Sequence, residues 1–285
     1  MKKIRYLLEY FLISGLFIIF KLIGYQNASN LGAKLGKIFG PIFRSKEIIK
    51  KNLEYAGIKN ELSQKKIIDE MWENYGRILA EYPFLNKFKT NEFKNYIVIE
   101  GQEYLSDIKS KNKKAVFVSG HFNNFELMAM QLENIGVDLA AIYRPLNNIL
   151  LNRKIEKIRI NHICKNQIPK GKSGSRKILE FFKKGTSIAL MIDQRVSEGV
   201  KVNFFNRPAY TTSLPAQLSK KFECEIVPVY IERIENYFFN ISINKPLKFE
   251  KTDSIEKITE KLNNILESMI SKNPNQRIWT HNRWK

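Results

Sequence analysis

Apolar residues along the chain fall into two alternating kinds of run. Short uninterrupted blocks, such as Ala115-Val116-Phe117-Val118 and Ile188-Ala189-Leu190-Met191-Ile192, read as buried strands. Longer segments such as Phe125-Glu126-Leu127-Met128-Ala129-Met130 read as helix. Strands are predicted at 97–100, 115–119, 139–143, 187–192, 226–233 and 238–243. Helices are predicted at 124–135, 147–161, 173–184, 215–222 and 254–271. Residues 47–86 read as one helical region, with Trp72, Tyr75, Ile78 and Leu79 on a core-facing stripe. Strands alternating with helices predict an α/β fold, a central sheet with helices on its faces.

The first 45 residues follow a different pattern. A basic start, Lys2-Lys3-Ile4-Arg5, leads into a mostly apolar stretch to Gly24, broken by Glu9 and Lys21. The uncharged run Tyr10–Phe20 is shorter than the ~20 residues of a spanning helix. No small-x-small cleavage site follows, which argues against a removed signal peptide. A short or tilted membrane helix, an interfacial helix and a buried core helix all remain open. The basic start favours a cytoplasmic N-terminus. From about Leu31 to Phe43, apolar residues are interspersed with Lys34 and Lys37, which suits an anionic bilayer surface or an ordinary domain helix. The expected organisation is a membrane-attaching region at 1–45 and an α/β domain at 46–285.

Charge narrows the partners. The formal net charge is +20, which draws the chain to polyanions: an anionic membrane, an acidic partner or nucleic acid. The positive residues are spread along the chain, and it contains neither an RNA-recognition signature nor a Cys/His zinc spacing. Nucleic acid is therefore the weakest of the three, and no metal is called for. The two cysteines, Cys164 and Cys224, fit a reducing compartment and read as packing residues.

Ligand sites in α/β folds collect at the carboxyl ends of the strands. His121 follows one predicted strand, Arg144 the next, and Asp193 a third. His121 is one of only three histidines, and Glu126 stands five positions on, at the opening of a helical run. A neutral imidazole oriented by a carboxylate can take a proton from an alcohol near pH 7. The same residues also fit a helix start, with Asn123 as N-cap and Glu126 three residues later at the capping-box position. Arg144, in Tyr143-Arg144-Pro145, suits phosphate or carboxylate recognition, or is a solvated turn residue. Arg153 and Arg159 sit on the following helix among Lys154 and Lys157, where a solvated basic face is the simpler reading.

In this order, the motifs resemble the late acyltransferases of lipid A biosynthesis, of the lauroyl/myristoyl type. These belong to the lysophospholipid-type acyltransferases that carry His-x4-Asp/Glu. The resemblance spans nearly the whole chain: the hydrophobic N-terminus, Gly120-His121…Glu126, Tyr143-Arg144-Pro145-Leu146-Asn147-Asn148, Asp193-Gln194, Phe204-Phe205-Asn206-Arg207-Pro208 and Trp279-Thr280-His281-Asn282-Arg283-Trp284-Lys285. It implies a glycerolipid acyltransferase-like fold with a mixed central sheet and a membrane-attaching N-terminal helix. It implies an O-acyltransferase of the Gram-negative inner membrane, facing the cytoplasm and needing no cofactor. Such an enzyme moves a fatty acyl chain from acyl carrier protein, or from acyl-CoA, to a hydroxyacyl chain of a phosphorylated glycolipid. On this resemblance His121 is the general base and Glu126 its partner, with Arg144, Arg159, Asp193 and Asn123 as substrate-binding candidates. Family members often have Asp where this chain has Arg195, and Trp where it has Phe125, which leaves the acceptor open. The rival readings are acyl transfer to a lysophospholipid or other amphiphile, and a non-catalytic protein that binds membrane surfaces.

Overall fold

A computed structural model describes residues 2–110 and 113–285 of the protein. Four helices come first: α1 (Lys2–Ile23), α2 (Tyr25–Phe43), α3 (Lys46–Tyr55) and α4 (Glu61–Glu81). The helical region expected at 47–86 is thus broken. Gly57 takes a left-handed φ of 85°, and Asn60 caps α4 by accepting from the Ser63 amide. A single-turn 3-10 helix (Tyr82–Phe84) then leads into the short α5 (Leu85–Lys89).

The rest alternates strands and helices: β1 (Ile97–Glu100), α6 (Ser106–Ser110), β2 (Val116–Ser119), α7 (Glu126–Asn134), β3 (Leu139–Tyr143), α8 (Ile149–His162), β4 (Asn166–Pro169), α9 (Lys172–Lys183), β5 (Ser187–Met191), β6 (Val200–Phe204), β7 (Arg207–Thr211), α10 (Leu214–Phe222), β8 (Ile226–Ile234), β9 (Phe238–Ile243) and α11 (Ile255–Lys272). Seven strands form one mixed sheet in the order β1-β9-β8-β2-β5-β3-β4. Only β8 and β9 pair antiparallel within it. Strands β2 and β8 lie inside the sheet, and their unbroken apolar runs are buried on both faces. The hairpin β6–β7 stands apart from this sheet. Its turn residues, Phe205 and Asn206, both have positive φ, the conformation that a tight two-residue hairpin demands. Neither this hairpin nor β4 was anticipated, because Pro169 and Pro208 interrupt the apolar signal.

Helix α2 joins the body through a glycine contact with α4. A Cβ on Gly76 would lie 2.0 Å from the Gly32 carbonyl oxygen, and one on Gly36 would lie 2.2 Å from that of Trp72. Only glycine lets the two backbones approach so closely. Helix α1 buries Phe17 and Phe20 and turns Ile4, Leu8, Phe11, Leu12, Ile18 and Leu22 outward. It is long and apolar enough to cross a membrane, yet it is tied to α8. Lys154 Nζ donates to Ser14 Oγ at 2.7 Å, and Asn148 Nδ2 donates to Glu9 Oε2 at 2.8 Å.

The segment after α11 returns across the sheet ends. Phe122 and Arg277 form an isolated antiparallel bridge, and the Ile278 amide donates to the His121 carbonyl at 3.1 Å. Trp279, Arg277 and Arg283 are among the largest fully buried side chains of the molecule.

Candidate active site

Strand register builds the site. Ser119 of β2 is paired with Met191 of β5, in parallel. Two residues further along each strand come His121 and Asp193, which therefore leave the sheet side by side. His121 Nδ1 and Asp193 Oδ1 are 2.6 Å apart. Asp193 is 1% exposed, while the imidazole keeps about a fifth of its surface open. Burial alone would raise the Asp193 pKa, but the charge and hydrogen bond of His121, helped by Arg277, outweigh it and hold the carboxyl well below the usual range. An ionised Asp193 can only accept, so Nδ1 donates in this bond and Nε2 is the ring nitrogen left to exchange a proton.

Glu126, the carboxylate expected beside His121, is hydrogen-bonded to other partners. Glu126 begins α7 and accepts from Arg159 instead, at 2.9 Å from Nε and 2.5 Å from Nη2, and it also accepts from the Tyr82 hydroxyl. Arg159 is thereby held in an ion pair with Glu126, and both side chains line the same cavity as His121. Burial opposes its charge, yet Tyr82 and Glu126 prevail and raise its pKa. Burial, then the Glu126 charge, likewise raises the Tyr82 hydroxyl pKa well above its ordinary value.

Asn123 also differs from expectation. It has a left-handed φ of 43° and is fully buried. Its side-chain amide donates to Gln276 Oε1, and its oxygen accepts from Arg233 Nε at 3.0 Å. It neither caps α7 nor faces open space; it shapes the turn that presents His121. Arg233 in turn makes a two-pronged ion pair with the buried Glu81, at 2.6 and 3.1 Å, and Asn124 donates to the same carboxylate at 2.9 Å. The whole His121–Glu126 turn is therefore anchored from α4 and β8.

The imidazole opens on a cavity of about 710 Å³. Its wall beneath the strand ends is apolar, made by Phe117, Val118, Met128, Leu132, Ala141 and Ala189. Arg144, Arg195, Gln194 and His281 also line it. Arg144 is exposed. His281 was not singled out as a site residue. Burial first, with Arg277 and other nearby cations, holds its pKa down to about 4. Burial pushes the Cys164 and Cys224 thiols up to about 12, which makes both poor nucleophiles at neutral pH. Among the described residues, no group of three His, Cys, Asp or Glu side chains is placed to hold a metal ion.

A histidine bonded to a buried carboxylate beside an apolar cavity can exchange a proton with an alcohol next to an acyl chain. The chain belongs to the bacterial lipid A biosynthesis acyltransferase family, whose model matches residues 1–285. It is 25% identical over 287 aligned positions to the lipid A biosynthesis palmitoleoyltransferase of Escherichia coli (strain K12), covering 99% of this chain and 92% of that protein. The lipid A biosynthesis acyltransferase of Shigella flexneri matches at the same identity and coverage. Among solved structures, the 1-acyl-sn-glycerophosphate (LPA) acyltransferase PlsC from Thermotoga maritima aligns at a TM-score of 0.43 and 15% identity, covering 95% of this chain and 97% of that one.

Proposed function

We propose that this acyltransferase moves a fatty acyl chain from a thioester to the hydroxyl of a hydroxyacyl chain on a lipid A precursor, with His121 as general base. The observation that carries this reading is the 2.6 Å bond from His121 Nδ1 to the buried Asp193. It leaves Nε2 to take the hydroxyl proton while the substrate oxygen attacks the thioester carbonyl. The tetrahedral intermediate then collapses, the C–S bond breaks, and the imidazolium returns its proton to the departing thiolate. Asp193 stabilises the imidazolium in between. The donor's acyl chain occupies the apolar cavity, and Arg144 and Arg195 meet phosphate groups. Glu126 acts through Arg159 and Tyr82, holding α7 and α8 together beside the base.

The donor is acyl carrier protein, an acidic partner suited to the +20 charge, with acyl-CoA as the alternative. The site of action is the cytoplasmic face of the inner membrane. The exposed apolar stripe of α1 supports this, since its opposite side is tied to α8 and the helix is suited to lie on an anionic bilayer rather than cross it. The test is mass spectrometry of lipid A from a host lacking its own late acyltransferases and supplied with this chain. A mass gain of one acyl group, lost in His121→Ala, is expected. No gain, with acylation of a lysophospholipid instead, would transfer the mechanism to that acceptor.

A further inference from the structure

Arg277 stands directly behind Asp193. Its Nε is 3.8 Å from Asp193 Oδ2, and the two side chains are 2% and 1% exposed. Its Nη2 donates to the Asp193 backbone carbonyl at 3.4 Å. The backbone that carries it is pinned to the His121 turn by the Phe122–Arg277 bridge and by the bond from the Asn123 amide to the Gln276 carbonyl at 2.9 Å. The guanidinium lies 4.2 Å from the Trp279 ring and 5.7 Å from that of Phe204. Nε and Nη1 make no hydrogen bond. Burying a guanidinium with two of its nitrogens unbonded is unfavourable, and an unbranched apolar side chain of similar length would fill the same slot. The charge itself therefore calls for an explanation.

We propose that Arg277 is an electrostatic positioning residue for the His121 base: by balancing the Asp193 carboxylate, it keeps the imidazole neutral until the substrate hydroxyl arrives. The inference rests on the reading of His121 as base. A buried carboxylate whose only neighbour is a histidine favours the imidazolium, and an imidazolium cannot accept a proton. A second cation on the far side of that carboxylate removes much of this pull. With neutral imidazole, the set His121–Asp193–Arg277 has no net charge; with imidazolium it carries one positive charge. Asp193 remains in contact to stabilise the imidazolium during turnover.

The other charged groups around the set do not reverse this balance. His281 and Arg283 come from the same C-terminal segment, and Arg195 from the loop after β5. Arg283 is bonded to the Tyr210 carbonyl and to Thr211 of β7, at 2.8 and 2.6 Å. On the α7 and α8 side, Glu126 and Arg159 neutralise each other. Arg283 also meets the charge of Glu267, and His281, held near pKa 4, is uncharged at neutral pH. Burial lowers the Arg277 pKa to about 10, against the pull of Asp193, so it stays charged through the neutral range.

The test uses the full chain in detergent micelles. The pH profile of kcat/KM for acyl transfer is measured for wild type, R277M, R277Q and R277K. In parallel, the imidazole resonances of the three histidines are titrated by NMR, with His121 assigned through H121Q. In R277M and R277Q the acid limb of the profile and the His121 midpoint should both move up by about one pH unit. Transfer below the limb then falls roughly tenfold and recovers above it, while R277K stays near wild type. A folded R277M with an unmoved limb, or with equal loss at every pH, overturns the proposal. So does failure of both neutral variants to fold while R277K folds and titrates as wild type, because the charge would then serve stability alone. Transfer by H121Q would sink the base assignment instead, and the NMR titration would still report on Arg277.

Discussion

Asp193 faces His121 because Ser119 and Met191 are in register on adjacent parallel strands, which puts the two side chains 2.6 Å apart beyond the carboxyl ends of those strands. The expected consequence is catalytic. Replacing His121 with Ala should lower kcat/KM for acyl transfer by roughly 100- to 10,000-fold. Asp193→Asn should cost about as much, because an amide can present its NH2 to Nδ1 and so favour the wrong tautomer. Steady-state kinetics on the purified variants, with circular dichroism as a control for folding, would check both. Wild-type rates in D193N would remove Asp193 from the relay.

Glu126 is expected to behave differently. It meets Arg159 and Tyr82 and is largely buried, so Glu126→Ala leaves a guanidinium without its counter-ion. Breaking such a pair costs about 3–5 kcal/mol, and denaturant melts should show it. The double variant E126M/R159M, which removes both charges, should recover much of that stability. An E126A protein as stable as wild type but inactive would mean that Glu126 contributes to the chemistry directly.

Acid should weaken the fold in two stages. His281 is held near pKa 4 against an ordinary 6.5, so between those values the unfolded chain binds a proton that the folded chain does not. Stability therefore falls as pH drops from about 6.5 towards 4. Asp193 has an ordinary value of 3.8 and a lower folded one, so its contribution is intact above about pH 4 and is lost only as pH falls further. Melting temperatures should fall less steeply between pH 6.5 and 4 in His281→Gln, with His162, whose pKa burial also lowers, keeping part of the slope. An unchanged slope would place the acid sensitivity elsewhere.

The glycine contact between α2 and α4 leaves no room for a methyl group. Gly76→Ala would set a carbon 2.0 Å from the Gly32 carbonyl oxygen, so the helices must separate. Overpacking of this kind costs about 1–3 kcal/mol. Chemical denaturation is the check. A neutral result would show that the two helices already slide freely.

Membrane attachment should depend on the outer stripe of α1. Leu8→Gln, Phe11→Gln and Leu12→Gln together remove apolar contact that faces away from the body. Sedimentation with anionic vesicles should fall sharply for the triple variant, while its melting temperature stays near wild type. Retained binding would move the contact to the Ile38–Phe43 end of α2.

The strand ends were legible in the sequence, and with them the individual positions of His121, Arg144 and Asp193. Their adjacency was not. Chain order puts β3 next after β2, whereas the sheet inserts β5 between them, and only that insertion joins His121 to Asp193. The spacing His121…Glu126 points to a carboxylate whose own hydrogen-bond partner lies 33 positions on, on a helix whose sequence reads as a solvated basic face. Asn123 carries the composition of a cap, but Arg233 and Gln276, 110 and 153 positions away, claim its side chain. The hairpin β6–β7 was missed because its turn uses Phe205, a residue that turn chemistry does not favour at positive φ. Local pattern reports what a segment prefers, and these contacts are set by segments far along the chain.

The bridge between Phe122 and Arg277 also orders events during synthesis. The turn that carries His121 emerges from the ribosome long before the residues that clasp it, and the bridge between Phe122 and Arg277 closes only after every strand of the seven-stranded sheet has been made. A partly made chain can assemble β2, β3 and β5 and still lack the buried cation and the clasp behind its histidine. The turn that carries His121 is therefore completed only once the segment after α11 has been made, well after the apolar face of α1.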